Sequence, residues 1–389
     1  MLRILKINQM RHSIFLSLIA TLLLPLLPSC KGGNGSVFSE SANKSVELSY
    51  ARNLKLDEFD GFIRATVRNP WDTTKTLHTY LLIPDSADRP SDLPEGTVVR
   101  IPLKNALVYS TVHQSLIGEL GAREAIGGIC DAQYIHNPEL LQLIADGKVA
   151  DCGSSYTPNM ERIIQLNPDA ILLSPYENSG NYGKLGQMGI PLVECADYME
   201  GSPLGRTEWM KFYGILFGTE ARANEMFDNI EKEYKRLTAL TDTVSYRPKV
   251  MIDRLYGNSW YVPSANSTMG RFIKDAGGSN PFDGAGDAGS IGMSGEQVLH
   301  EAGNADIWIL RYGQATDKTL HELASDSPIY GQFKPLKDGK VYGCNTQKIN
   351  YYEQTPFHPH WVLKDFISII HPEISDPEYR NRYFTPLKP

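Results

Sequence analysis

From about residue 105 onward, short apolar runs alternate with amphipathic segments, and this rhythm restricts the possible folds more than any other feature. In the first half the runs at 106–109, 125–129, 170–173 and 191–194 predict strands, and the segments 115–120, 137–145 and 158–166 predict helices. In the second half the runs at 249–253, 306–310 and 340–342 predict strands, and 269–276, 294–302 and 361–370 predict helices. Such αβ units favour parallel sheets covered by helices on both faces.

A long amphipathic helix is predicted between the two αβ halves. It opens at Thr219, and its apolar side chains recur at helical spacing, at Met226, Phe227, Ile230, Tyr234 and Leu237. Charged residues occupy the opposite face. Because this helix lies between two αβ segments, we interpret it as the link between two lobes, although an ordinary surface helix of one domain would show the same pattern.

The region 37–100 has a different pattern and predicts a small β-rich extension. Runs at 62–67 and 77–83 are typical of strands, 69–72 is typical of a turn, and 84–96 contains three prolines.

The N-terminus has the pattern of an export signal. Arg3, Lys6 and Arg11 precede an apolar run at 14–27, which is too short to span a bilayer as a helix. Leu27-Pro28-Ser29-Cys30 then resembles a bacterial lipobox, in which the cysteine carries the lipid. Met10 could equally be the start, and an ordinary signal peptide followed by a chance cysteine is the alternative.

We therefore predict six regions along the chain. They are a lipoprotein signal peptide at 1–29, a Gly-rich tether at 30–36, the β-rich extension at 37–100, an N-terminal lobe at 101–206, an interlobe helix region at 207–241 and a C-terminal lobe at 242–375.

Charge and cysteine content narrow the possible roles. The chain has 38 Lys and Arg residues against 45 Asp and Glu, a balance that disfavours nucleic-acid binding. Four cysteines follow the lipobox, at Cys130, Cys152, Cys195 and Cys344. An exported protein meets an oxidising compartment, so a disulfide is possible; free buried thiols are the alternative, and spacing alone does not decide the pairing.

Two segments repeat one unit. Residues 159–172 hold a helix-opening Glu161, an apolar helix, Pro-Asp and a strand, and residues 294–310 repeat the Glu–helix–strand order around Glu296, with Ala305-Asp306 before the strand. Together with 270–278 and 335–342, these segments resemble the binding proteins of bacterial ABC importers that carry ferric siderophores, haem and cobalamin. The resemblance covers 105 to about 373 and leaves out 37–100.

The resemblance implies a fold, a location and partners. It implies an α/β protein with two Rossmann-like lobes joined by a single long helix and a ligand cleft between the lobes. It implies a monomer at the periplasmic side of a bacterial membrane that delivers its ligand to an ABC permease and ATPase complex, and the lipobox-like segment adds a lipid anchor at Cys30. By resemblance, Glu161 and Glu296 dock to arginines of the permease, although a Glu in the first turn is also stabilised by the helix dipole alone.

Aromatic and basic residues near predicted strand ends are the ligand candidates. Their density suits a flat, partly anionic ligand such as a metal chelate or tetrapyrrole, while packing is the alternative for each of them. The candidates are His113, Tyr156, Tyr176, Arg254, Trp260, Arg311 and Tyr312, with Tyr198, Tyr256, Tyr261, Tyr351 and Tyr352 as further aromatics in such loops. We rank an iron complex, ferric siderophore or haem, before cobalamin.

Other chemistry has weaker support. His113, His136, His358 and His360 do not form the His and carboxylate array of zinc or manganese binders, so no metal site and no resident cofactor are predicted. His113 and Tyr156 would be the candidates for a haem axial ligand. No nucleophile elbow, dinucleotide loop or phosphate loop is present, so we do not predict an enzyme. A surface sensor that reuses the fold without transport is the remaining alternative.

Overall fold

A computed structural model describes residues 42–177, 182–284 and 289–389, all within one compact unit, Ser39–Pro389. The predicted signal peptide, Cys30 and the tether lie outside the described residues. Among the described residues, no helix has the length and apolar character needed to cross a membrane.

The extension is a five-stranded sheet. Its strands run in sequence order, antiparallel up to β4, and β5 then pairs parallel to β4. The strands are β1 Lys44–Val46, β2 Leu54–Phe59, β3 Phe62–Arg68, β4 Thr76–Pro84 and β5 Thr97–Ile101. The two strands predicted here are confirmed as β3 and β4, and the turn and proline-rich loop follow them as expected.

The first αβ segment forms a parallel sheet in the order β10-β9-β6-β7-β8. Its strands are β6 Ala106–Val108, β7 Ile126–Ile129, β8 Ala150–Asp151, β9 Ala170–Leu173 and β10 Leu192–Glu194, and its helices are α1 Thr111–Glu119, α2 Pro138–Ala145 and α3 Met160–Leu166. Capping sets the helix starts: the side chains of Ser110, Asn137 and Asn159 each accept a backbone N–H. For this reason α1 begins before the predicted 115, and α3 begins after the predicted 158.

Three helices lead from the first sheet to the second. They are α4 Pro203–Glu208, α5 Met210–Phe217 and the long α6 Glu220–Leu240. The predicted apolar stripe of α6 is buried against α5 and a later helix, α12 Pro359–Ile370. Gly218, with φ of 67°, ends α5, so the turn into α6 uses backbone geometry that glycine adopts readily.

The second αβ segment contains two sheets, β11-β15-β16-β17 and the antiparallel β12-β13-β14. The strands are β11 Val250–Ile252, β12 Leu255–Tyr256, β13 Ser259–Pro263, β14 Ser290–Met293, β15 Ile307–Tyr312, β16 Val341–Asn345 and β17 Thr385–Pro386. Besides α12, the helices are α7 Thr268–Asp275, α8 Gly295–Ala302, α9 Leu320–Asp326, α10 Lys334–Lys337 and α11 Tyr351–Gln354. The sequence did not reveal β12, β13 or β14, and β17 lies beyond residue 375, where the C-terminal lobe was predicted to end.

The four cysteines of the described chain are free and buried. Cys130 and Cys152 directly follow the neighbouring parallel strands β7 and β8, as their position after apolar runs suggested. Burial raises the pKa of each of the four thiols, that of Cys152 to about 11. These thiols are therefore protonated packing groups at neutral pH, and the disulfide alternative is not realised in this structure.

Candidate functional site

A cavity of about 1560 Å³ lies where the two αβ segments face each other. One side is formed by residues that follow β6 to β9, including Ser110 and Ser174, and the other by residues that follow β15 and β16, including Gly313 and Thr346. Because the carboxyl ends of parallel strands meet at one edge of a sheet, the two edges together form a cleft, and such crevices are where α/β proteins bind ligands. We call this cavity the main cleft.

Tyrosine is the dominant side chain of the main cleft. Several of these rings are unusually exposed: Tyr156 to 94%, and Tyr134, Tyr176 and Tyr352 to more than half. Seven tyrosines line the main cleft: Tyr109, Tyr134, Tyr156, Tyr176, Tyr182, Tyr351 and Tyr352. Each ring offers apolar area and a hydroxyl, and such a lining suits a large, flat or chelated ligand with polar oxygen atoms.

The charged lining of the main cleft consists of two carboxylates, Asp131 and Glu353, and one lysine, Lys184. Glu353 also joins the two sides of the cleft, because its carboxylate accepts a hydrogen bond from the backbone N–H of His136 at 2.9 Å. Burial raises the pKa of Glu353 above its usual value. The described lining contains no arginine. A lining without arginine does not fit a strongly anionic ligand.

The prediction that two arginines contact the ligand is not supported by their positions. The guanidinium of Arg311 forms a bidentate ion pair with Asp253, with a separation of 3.0 Å between Nε and Oδ1, and lies 5.7 Å from the ring centre of Tyr351. Arg311 thus packs behind a ring that lines the cleft. Arg254 does not line the cleft either, and its Nε is buried without a hydrogen-bond partner among the described residues.

Trp260 and Tyr312 are also outside the lining, because they point into the core of the second lobe. Trp260 lies in β13 rather than in a loop, is fully buried, and donates its indole N–H to the carbonyl of Ile252 at 2.9 Å. The Tyr312 ring is 6% exposed, and its hydroxyl accepts the backbone N–H of Lys318. Side chains alternate between the faces of a strand, and the alternation turns both of these inward.

His113 belongs to a buried network and not to the cleft. Its Nε2 lies 2.8 Å from Oδ1 of Asp197, and the other oxygen of that carboxylate accepts from Nε of Arg206 at 3.0 Å. The hydroxyl of Tyr213 donates to Asp197 as well, at 3.0 Å. With its side chain 2% exposed, His113 is not positioned as a haem axial ligand.

The Asp197 network predicts a loss of stability in acid. Burial by itself raises the pKa of Asp197, but His113 and Arg206 outweigh it and hold the pKa at about 2, below the ordinary 3.8. A depressed carboxylate pKa stabilises the fold above about pH 4, and that stabilisation, about 2 kcal/mol, is lost as the pH falls toward 2. In urea unfolding at several pH values, the stability difference between wild type and Asp197→Asn should shrink below pH 4. The exposed Asp242→Asn is the matched control, and a difference that does not change with pH would contradict this reasoning.

Of the predicted ligand residues, the structure brings together Tyr156 and Tyr176 in the main cleft, with Tyr351 and Tyr352 from the wider aromatic set. The prediction missed Tyr109, Tyr134, Tyr182, Asp131 and Lys184. Tyr109 and Asp131 lie one or two residues after a strand, a position that could have pointed to them. Within the described ranges, no group of three His, Cys, Asp or Glu side chains could hold a metal ion.

Glu161 and Glu296 occupy matching places on the two lobes. Each lies exposed in the first turn of a helix, α3 and α8, and each helix leads to a strand of its lobe's parallel sheet, β9 and β15. Asn159 and Ser294 cap these helices. A backbone hydrogen bond and the Ser294 hydroxyl lower the pKa of Glu296, so this carboxylate is ionised at neutral pH.

Comparison with known proteins finds a matching family profile and related sequences. The profile of the family described as "Periplasmic binding protein" matches residues 128–347. A lipoprotein of Methanocaldococcus jannaschii of uncharacterised function is 28% identical over 350 residues, which cover 84% of this chain and 82% of the relative.

Two solved structures show the same fold at low identity. An ABC-type Fe³⁺-hydroxamate transport protein from Saccharomonospora viridis has a TM-score of 0.55 at 14% identity, covering 69% of this chain and 94% of that chain. A periplasmic haem-binding protein from Roseiflexus sp. RS-1 has a TM-score of 0.54 at 18% identity, covering 70% of this chain and 100% of that chain.

Proposed function

This chain belongs to the periplasmic binding protein family, and from that membership we propose that it captures a small ligand outside the cytoplasm and delivers it to an ABC importer. The observation that carries the proposal is the tyrosine-lined main cleft between two αβ segments that each present an exposed glutamate at an equivalent helix start. The cleft supplies the binding surface, and the two glutamates supply a docking contact on each lobe for the permease and its ATPase.

We propose an iron complex, a ferric siderophore or haem, as the ligand, with cobalamin as the alternative within the same family. Solved structures with this fold include proteins described as serving Fe³⁺-hydroxamate transport and haem binding. A cleft of about 1560 Å³ has room for ligands of this size, and its tyrosine rings can cover their flat faces.

We also propose that Cys30 carries lipid and that residues 30–36 tether a monomeric protein to the periplasmic side of a bacterial membrane. Support comes from the lipobox-like Leu27-Pro28-Ser29-Cys30 and from the M. jannaschii relative, which is named a lipoprotein. Radiolabelled palmitate should enter the wild-type protein expressed in a bacterial host, and Cys30→Ala should not incorporate it.

The proposed ligand class is tested by titration of the chain from Lys31, which contains every described residue. A ferric hydroxamate, a ferric catecholate, haemin and cobalamin are added in turn while tryptophan fluorescence is recorded. Saturable quenching by an iron complex is the expected result. Quenching by cobalamin alone would select the alternative, and no response to any of the four would overturn the proposal.

Removal of an exposed cleft ring should weaken ligand binding without unfolding the protein. We expect Tyr156→Ala to raise the dissociation constant about tenfold, because a tyrosine ring that covers a ligand contributes at least about 1.4 kcal/mol. Stability should change by less than about 0.5 kcal/mol, since the side chain makes few contacts in the free protein. Tyr256→Ala, also highly exposed but outside the cleft, is the control. Equal affinities of the two variants would remove Tyr156 from the site.

A further inference from the structure

The extension forms a second cavity, of about 760 Å³, against the first lobe. Trp71, Asp72, Lys75 and His78 contribute from the extension, and Glu177 and Glu194 contribute from the lobe. We call it the annex cavity. Residues 42–127, which include the extension, lie outside the part of the chain that the family profile matches.

A hydrogen-bonded network fixes the wall of the annex cavity. The carboxylate of Glu194, at the end of β10, lies 3.1 Å from Nδ1 of His78 and accepts from the hydroxyl of Tyr182 at 2.6 Å. The other ring nitrogen of His78 lies 2.7 Å from the hydroxyl of Thr97, and the buried Tyr80 hydroxyl accepts the Glu194 backbone N–H at 2.8 Å. Within the extension, His78 thus contacts the Glu194 carboxylate directly, Thr97 contacts His78, and Tyr80 holds the Glu194 backbone.

The annex cavity adjoins the main cleft through two tyrosines. Tyr176 and Tyr182 line both cavities, and their rings meet edge to face with centres 6.4 Å apart. A ligand in the main cleft that contacts Tyr176 is therefore next to the annex cavity, and a flexible arm of that ligand could enter it.

The annex cavity combines negative charge with aromatic surface. Three carboxylates, Asp72, Glu177 and Glu194, face one lysine, Lys75. Lys75 is already paired with Asp72, with its Nζ 2.7 Å from Oδ2, and this contact lowers the pKa of Asp72 to about 2. Glu194 is held by His78 and Tyr182. Glu177 has no cationic partner among the described residues, and the Trp71 indole provides a face of the kind that attracts cations.

We propose that the annex cavity binds a primary ammonium arm of the ligand, with Glu177 as the anionic contact and Trp71 as the aromatic one. The inference rests on the proposed function, because the rest of the ligand lies in the main cleft. The main cleft, with two carboxylates and one lysine, does not oppose a ligand of positive charge. The extension is thus a part of the binding site and makes it selective for charge.

Two matched chelates test the proposal in the chain from Lys31. One is the ferric complex of a linear trihydroxamate with a terminal primary amine, which carries one positive charge; the other is its uncharged N-acetyl derivative. We expect the wild type to bind the amine form about fivefold more tightly, the effect of one partly exposed charge pair with a cation–π contact. Glu177→Gln and Trp71→Ala should each bring the ratio below about twofold, and Asp60→Asn, on the extension but outside both cavities, should keep it. No preference in the wild type, or the same preference in every variant, would overturn the proposal.

A small probe separates this proposal from the ligand class. Pentylammonium and pentanol, which is of similar size and uncharged, are titrated while the ¹⁵N-indole NMR signals are recorded, with Trp71→Phe used to identify the Trp71 signal. Pentylammonium should shift that signal saturably at about 1–10 mM, a free energy of roughly 3–4 kcal/mol, and it should not do so in Glu177→Gln. If pentylammonium binds but neither the two chelates nor the ferric catecholate, haemin and cobalamin do, the proposed function is wrong and the annex site stands. If pentylammonium leaves the Trp71 signal unchanged, the annex site is wrong.

Discussion

Reversal of the charge at both docking positions, Glu161→Arg with Glu296→Arg, should lower ligand uptake by cells at least about 100-fold and leave the ligand dissociation constant unchanged. If each glutamate meets a permease arginine, as the family resemblance implies, the double variant sets like charges against each other at two contacts. Such like-charge contacts cost several kcal/mol, and about 3 kcal/mol already lowers an association constant about 100-fold. Both side chains are exposed and are not part of the cleft lining, so binding of the ligand should not change.

Uptake is measured in cells that carry the cognate permease, and affinity is measured on the purified chain. The matched control is Glu124→Arg with Asp228→Arg, which makes the same change of net charge at two exposed positions elsewhere. Normal uptake by the docking variant would exclude the two glutamates from the permease contact. Loss of ligand affinity would instead place them near the ligand.

The second large effect is expected from Glu208→Ala, which removes a fully buried carboxylate at the end of α4. Its oxygens accept the backbone N–H groups of Ser49, Tyr50 and Ala51 at 2.8–2.9 Å and pair with Lys211 at 3.1 Å. The alanine variant leaves three backbone donors and one ammonium group without this partner. We expect the free energy of unfolding to fall by about 3–5 kcal/mol, as for other broken buried ion pairs.

Urea denaturation measures this loss, and hydrogen exchange locates it. Exchange should accelerate first at residues 49–51, because the neighbouring Glu200 carboxylate still accepts the backbone N–H groups of Arg52 and Asn53 in the variant. Glu47→Ala, on the same segment but exposed, should cost less than about 0.5 kcal/mol. Equal costs for the two variants would show that the buried carboxylate does not anchor the extension.

The regular elements of the fold were largely readable from the sequence. Buried strands such as β9, with the sequence Ala-Ile-Leu-Leu, are continuous apolar runs, and α6 carries an apolar stripe at helical spacing. Both patterns come from local geometry, because a strand covered on both faces and an amphipathic helix each impose their own period on the side chains. The strands β12 and β13 were not predicted because their aromatic side chains could equally belong to loops, and β14, with the sequence Ser-Ile-Gly-Met, has no continuous apolar run.

The binding site was much less predictable. Tyr156 and Trp260 are both aromatic residues that the sequence placed near strand ends, yet one ring is 94% exposed in the cleft and the other is fully buried. Arg311 was expected to meet an anionic ligand, and its guanidinium is instead taken by Asp253. The same residue types serve as ligand contacts and as packing groups of the core. Only the neighbours that distant parts of the chain supply distinguish the two roles.

The αβ rhythm, the link helix, the repeated Glu–helix–strand unit and the lipobox-like Cys30 could all be recognised from neighbouring residues alone, because each depends on local spacing. The tyrosine lining of the main cleft, the inward rotation of Trp260 and Tyr312, and the annex cavity required the tertiary structure. His78 and Glu194 are 116 residues apart in the chain and 3.1 Å apart in space. No local pattern encodes such a contact, because it arises only when the extension packs against the first lobe.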